Sequence, residues 1–259
     1  MATYSPFSVG QILPAALMNA LSTGWVNIDG AGTFAYSSAD SPTFVLATPA
    51  DLTGLVGVGM RLKLTQTTVG YFIVTAITSS TITLYGGTDY TLANAAVSLV
   101  SFSPHKAPLG FPTSVSKWSV IVTDSSSRTH AGPGSGTWYN PGSVSIDVPI
   151  GSWELGYEAC LKVANDATLA VVSAYGTLST ATGSESDTQF TSYIQSVGNA
   201  TIADGSHYLA CETTRSHPVT LTVKTTYYMD TKTDDVGDSA VGFSNNSANL
   251  RIKAVCAYL

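Results

Sequence analysis

Apolar residues in this chain recur at every second position in short runs, and turn-forming residues break nearly every run before a long helix could form. Arg61-Leu62-Lys63-Leu64-Thr65 alternates charged or polar with apolar side chains, the pattern of a half-buried strand. Tyr71–Ile77 and Thr81–Tyr85 flank Thr78-Ser79-Ser80, a connection suited to a hairpin, and Gly86-Gly87 ends the second run. The same period returns in Trp118–Thr123, Ser143–Ile150, Glu154–Val163, Leu169–Ala174, Val219–Lys224 and Asn249–Leu259. Composition supports this reading. Charged residues are 11% of the chain, against roughly 25% in an ordinary domain. Serine, threonine and 23 glycines take their place, and these suit strands and turns.

Only residues 1–24 read differently. Leu13, Leu17 and Leu21 fall on one helical stripe, Pro14 fits a first turn, and Ser22-Thr23-Gly24 ends the helix. So short a helix is unstable alone in water and needs something to dock on. Three prolines between Pro104 and Pro112 exclude a central strand there. The expected fold is therefore all-β, with an N-terminal oligomerisation or attachment segment (1–24), a small β domain (25–103), a proline-rich linker (104–113) and a sandwich or jelly-roll-like head domain (114–259).

Eleven basic residues, scattered in a chain of net charge −6, do not form a phosphate-neutralising surface, so no nucleic-acid partner is expected. No apolar stretch reaches the length of a membrane span and the start lacks a signal-peptide pattern, so the chain is expected to be soluble and made in a cytosol. Cys160, Cys211 and Cys256 are odd in number and far apart, which predicts buried, unpaired thiols. Alternation would put Cys160 on the face of Glu154, Glu158 and Lys162, and Cys256 on that of Leu250 and Ile252.

The sequence offers little catalytic chemistry. Gly132-Pro133-Gly134-Ser135-Gly136 is neither a nucleophile elbow nor a phosphate-binding loop. Glu154 and Glu158 would lie about 13 Å apart on a strand, too far for a retaining glycosidase pair. Carboxylates converging from distant segments stay open. His207, Cys211 and His217 are too far apart on a strand to share zinc, and Asp234-Asp235-Val236-Gly237-Asp238 lacks the oxygen-ligand alternation of a calcium loop. No catalytic residue, metal or cofactor is expected. Aromatic residues are the better lead: Trp138-Tyr139 and Tyr227-Tyr228 lie in or beside loops and suit stacking on sugars, protein contact or covering of the sandwich ends. The expected binding surface is the loops Asp124–Gly142, with Arg128, His130, Trp138, Tyr139 and Asn140, and Thr231–Asn246, with Asp234, Asp235 and Asp238.

Tyr4-Ser5-Pro6-Phe7-Ser8-Val9-Gly10-Gln11-Ile12-Leu13-Pro14-Ala15-Ala16-Leu17-Met18-Asn19 resembles the opening of tailed-bacteriophage tail and fibre-like virion proteins, except for Pro14 where those have threonine. Asp51-Leu52-Thr53-Gly54, Val58–Gln66, Tyr71–Thr75 and Leu84–Leu92 are similar, in their order, to a module of siphophage-type structural proteins. The likeness covers residues 4–112. It implies a non-enzymatic virion protein assembled in the host cytoplasm as a homo-oligomer, commonly a trimer, with Ile12, Leu13, Leu17 and Leu21 in its attachment segment. The leading expectation is a short tail fibre or receptor-binding spike that contacts other virion proteins and a host-surface glycan or protein. A capsid decoration or head-fibre protein is the alternative, and a surface-polysaccharide-degrading enzyme a third reading.

Overall fold

A computed structural model describes residues 15–165, 171–197, 207–235, 238–245 and 249–259. The chain divides into two compact units: one ends at Lys117 and takes in Tyr258–Leu259, and the other is Trp118–Ala257. Both are built of antiparallel strands, so the all-β class is confirmed.

The first unit contains the helix α1 (Ala15–Thr23). The Ser22 and Thr23 hydroxyls donate back to the Asn19 carbonyl at 3.1 and 2.7 Å. Gly24, at φ 73°, donates its N–H to the Ala20 carbonyl and closes the last turn, a conformation that favours glycine. Leu17 is half-buried, while Met18 and Leu21 are exposed at 51% and 65%. Ile12 and Leu13 lie outside the described residues.

Seven strands follow: β1 (Val26–Asn27), β2 (Ala35–Asp40), β3 (Thr43–Ala47), β4 (Arg61–Thr65), β5 (Val69–Ile77), β6 (Thr81–Tyr85) and β7 (Ser98–Ser103). They form one sheet in the order β1-β7-β4-β5-β6-β3-β2. The hairpin read from residues 71–85 is β5–β6, and the Thr78 hydroxyl accepts from the Ser80 and Thr81 amides in its turn. Alternation puts Phe44 and Leu46, Leu62 and Leu64, Phe72 and Val74, and Ile82 and Leu84 in one buried cluster. Each such side chain contributes about 1.5–3 kcal/mol by leaving water.

Arg61 departs from the half-buried pattern because it is 1% exposed. Its guanidinium donates to the carbonyls of Lys106 (3.0 Å), Gly59 (2.6 Å) and Tyr258 (2.9 Å), and lies 4.9 Å from the centre of the Phe111 ring. The proline-rich stretch expected to link two domains lies inside this unit. The Leu109 carbonyl accepts from Trp25 Nε1 at 2.8 Å, the Leu109 amide donates to the Thr23 carbonyl, and Phe111 is buried.

The second unit contains β8 (Ser119–Asp124), β9 (Arg128–Ala131), β10 (Ser145–Val148), β11 (Gly151–Asn165), β12 (Val171–Ser179), β13 (Ser192–Val197), β14 (His207–Leu221), β15 (Thr225–Lys232), β16 (Asp238–Ser244) and β17 (Leu250–Cys256). A four-stranded sheet runs β10-β15-β12-β13. The larger sheet is organised by β11. One edge of β11 pairs along its length with β14, and the other is shared by β17 and β16, which pair onward with β8 and β9.

Trp153, Leu155, Tyr157, Ala159, Leu161 and Val163 alternate onto the inner face of β11 and are buried. Gly176 of β12 approaches Leu161 and Met229 so closely that a Cβ there would lie 2.7 Å from Leu161 Cδ2. The Tyr157 hydroxyl is within hydrogen-bonding distance of the Gly176 carbonyl (2.8 Å), the Phe190 carbonyl (3.0 Å) and Ser192 Oγ (2.6 Å). Burial pushes the Tyr157 phenol up to about 12. The two sheets thus pack as a sandwich.

Two expectations change here, and one, the burial of Cys160, is borne out. Tyr227-Tyr228 is strand, not loop edge, and Tyr227 is buried against Phe190 at 6.0 Å. Cys160 sits on the same side of β11 as Glu154 and Glu158 but is 2% exposed, paired across to Glu212 and Ser244. All three thiols are free, and Cys211 is exposed rather than buried, as are its neighbours Ala210 and Glu212 on β14.

Candidate functional site

Cross-strand register sets Lys232, Tyr175 and Tyr193 side by side on the outer face of the four-stranded sheet. The Tyr175 and Tyr193 rings lie 4.6 Å apart at 40°, and Tyr193 is 46% exposed. Trp138 joins them from outside the sheet, edge-on to Tyr175 at 6.5 Å. Lys232 Nζ lies 4.5 Å from the centre of the Tyr175 ring and 5.3 Å from that of Trp138, and pairs with Asp234 at 2.9 Å. Burial and a hydrogen bond with Asp234 push the Tyr175 phenol up to about 12, so the hydroxyl stays protonated and able to donate. The result is a shelf of ring faces beside a cation already neutralised by Asp234.

Trp138 reaches this position because the segment around it is tied to the strand end that carries Asp234. The Tyr139 amide and carbonyl both bond Thr231 at 2.8 Å, Gly136 N–H donates to the Thr233 carbonyl at 2.7 Å, and Ser135 Oγ donates to the Asp234 carbonyl at 2.6 Å. In extended backbone successive side chains point to opposite sides. Trp138 therefore faces Lys232, while Tyr139 turns away, stacks on His130 at 3.7 Å and accepts from the Gly134 amide through its hydroxyl.

The two expected loops do come together, but most of their polar residues serve the scaffold. Arg128 and His130 lie on β9. Arg128 Nε donates to Asp124 at 2.7 Å, which holds the Asp124 carboxyl below its ordinary value. Gly142, at φ 80°, leaves room for the Arg128 side chain, whose Cδ would lie 2.5 Å from a Cβ there. Asn140 donates to the Val144 and Met229 carbonyls. The Asp235 carboxylate accepts from the Ser173 amide and hydroxyl at 2.6 and 2.8 Å. Asp238 opens β16, and its side chain lies outside the described residues. The site is thus a sheet face overlain by one segment, rather than the tips of end loops.

Tyr175, Tyr193 and Lys232 were not found from sequence, because their adjacency depends on pairing among three segments far apart in the chain. Glu154 and Glu158 are exposed on either side of Gly156 in a groove of about 300 Å³ lined also by Arg251 and Lys253. Arg251 approaches Glu158 at 3.7 Å, a solvated ion pair of small energetic weight. Cys211 and His217 stand along β14, and His217 packs edge-on against Phe190 at 5.9 Å. Among the described residues no group of three His, Cys, Asp or Glu side chains is placed to hold a metal, and no helix is long and apolar enough to cross a membrane.

No family model matches the chain. No curated protein matches it either. Among solved structures it is similar to dimeric latent PorU from Porphyromonas gingivalis, at 12% identity and a TM-score of 0.30, over 91% of this chain. The chain spans 25% of the length of that protein. A second likeness, to the VP2 subviral particle of infectious bursal disease virus, covers 93% of this chain and 81% of that one at 11% identity and a TM-score of 0.21. Both are weak likenesses and carry no argument about function.

Proposed function

We propose that this chain is a structural protein of a tailed-bacteriophage virion, a short tail fibre or receptor-binding spike whose second unit contacts the host surface. The virion assignment is supported by the order of motifs in residues 4–112, whose segments 61–65, 71–75 and 84–85 lie in adjoining strands of one sheet. The observation that carries the attachment role is the row Lys232–Tyr175–Tyr193 with Trp138 beside it: flat rings on a rigid sheet, with the nearby charge internally paired. Such a surface suits the apolar face of a saccharide ring or a protein loop, because rings bury much area at little entropic cost. In this reading the chain works as a homo-oligomer, a trimer, and the exposed Met18 and Leu21 of α1 meet other copies or other virion proteins.

The test is the place of the chain in a reconstruction of the whole particle. Density for it at the distal end of the tail, with the second unit outward, is the expected result. Density on the capsid shell would replace this reading with capsid decoration.

A further inference from the structure

The ring row has a closed end and an open one. In the register of β15, β12 and β13, Lys232 and Tyr193 flank Tyr175 on its two sides, with Lys232 Nζ 4.5 Å and the Tyr193 ring 4.6 Å from the Tyr175 ring centre. Both sides of Tyr175 are thereby occupied. Tyr193 ends the row on β13, the last strand in the order β10-β15-β12-β13, and is 46% exposed, so it is the open ring. Polar groups stand beside it. Alternation puts the exposed Gln195 on the same face of β13, and the Tyr175 hydroxyl is hydrogen-bonded to Asp234, whose side chain is 43% exposed.

Size limits what such a surface can hold. A stable protein contact covers about 800 Å² on each partner around an apolar centre, whereas one aromatic ring buries about 150–250 Å². No apolar rim extends this ring. Among the described residues, the other large apolar side chains exposed in the second unit are Ile121, on β8 of the larger sheet, and Val223, between β14 and β15. A pyranose needs less: its C–H face covers one ring, and its hydroxyls can donate to a carboxylate such as Asp234 or exchange hydrogen bonds with an amide such as Gln195.

Charge limits it further. Lys232 is held by Asp234 at 2.9 Å. Asp235 adds a second carboxylate, bonded to Ser173, the cross-strand partner of Gln195. Both acids act on the Tyr175 hydroxyl and raise it. An acidic sugar would bring one more negative charge against two carboxylates and a cation already committed, and like charges in contact cost affinity.

We infer that Tyr193 and its polar flanks form a binding site for a neutral saccharide, with a pyranose stacked on the Tyr193 ring, its hydroxyls on Asp234 and Gln195, and acidic sugars rejected. This rests on the reading of the ring row as the surface that meets the host, and narrows that reading to one chemical class.

The test measures binding of the fluorescently labelled full chain to host cells, intact or protease-treated. Glycans released from the same cells, separated by anion exchange into a neutral and an acidic pool, serve as competitors. Binding is expected to survive protease, and the neutral pool to displace the chain while the acidic pool does not. It should change less than about twofold between about 0.05 and about 0.5 M salt, since no ion pair forms across the contact. Tyr193→Ala, with its unfolding midpoint unchanged, should weaken binding at least about tenfold. Tyr193→Phe keeps the ring and should keep binding; Gln195→Ala, at an exposed position, should weaken it. Four results overturn the inference while attachment through this unit stands: loss of binding after protease, a neutral pool that does not compete, an acidic pool that competes as well as the neutral one, or either alanine variant binding as well as the wild type. A wild-type chain that does not bind host cells overturns both.

Discussion

The two units bury polar groups in opposite ways. The first encloses one hydrocarbon cluster against a single sheet and admits one fully buried charge, Arg61, saturated by carbonyls. The second spreads its buried polar groups over a sheet face: Ser173, Thr177 and Ser179 of β12 and Asp230 of β15 lie on the outer side of the smaller sheet, yet all are buried. Alternation alone would leave that side to solvent. It is covered by irregular segments, whose backbone groups need hydrogen-bond partners when water is excluded. Hydroxyls and carboxyls supply them, as Asp235 does for the Ser173 amide and Asp230 for the Ser184 amide. A polar cover of this kind ends where rings begin, at Tyr175, Tyr193 and Trp138, and that border is the candidate contact surface.

The difference can be broken at its strongest point first. Arg61→Met keeps the apolar stem but leaves the Gly59, Lys106 and Tyr258 carbonyls without their donor, and burying unsatisfied acceptors costs about 1–3 kcal/mol each. A loss of about 3 kcal/mol or more is expected in urea unfolding, confined to the first unit. A loss shared equally with the second unit would contradict the separation drawn between them. Tyr157→Phe removes the hydroxyl that joins the two sheets of the second unit, for an expected loss of about 1–3 kcal/mol. An unchanged midpoint would show that those groups find other partners.

Asp124→Asn should have the smallest effect, below about 1 kcal/mol, because its partner Arg128 is well exposed. The Arg128 hydrogen bond lowers the Asp124 carboxyl from 3.8, so its contribution is present above 3.8 and disappears as pH falls through the lowered value. The variant should therefore differ from the wild type at neutral pH and converge with it in acid. The Asp230 carboxyl, which burial raises from 3.8, should show a dependence of the opposite sign.

Much of the frame was legible in the residues because it rests on local signals. The β5–β6 hairpin follows from two alternating runs around Thr78-Ser79-Ser80, and the end of α1 from Ser22-Thr23-Gly24. Arg61 was hidden: it occupies a polar position in an alternating run, and two of its acceptors, Lys106 and Tyr258, are distant in sequence. Within the site, Trp138 and Tyr139 were both visible as aromatic residues in a glycine-rich segment. Which of them faces outward is decided by the bridge from Tyr139 to Thr231, a long-range pairing. The same holds for Tyr193, which carries no local mark of exposure and gains its neighbour Tyr175 only through strand register.

The central claim is that the Trp138–Tyr175–Tyr193 surface is what the second unit offers to a host. The most direct measurement is competition: purified chain added to host cells before the parent particle, with adsorption counted. Wild-type chain is expected to reduce adsorption. A Trp138→Ala, Tyr193→Ala double variant, folded by its unchanged unfolding midpoint, should lose most of that effect, while Tyr139→Phe, which alters only the inward-facing ring, should keep it. A double variant that competes as well as the wild type would contradict the account.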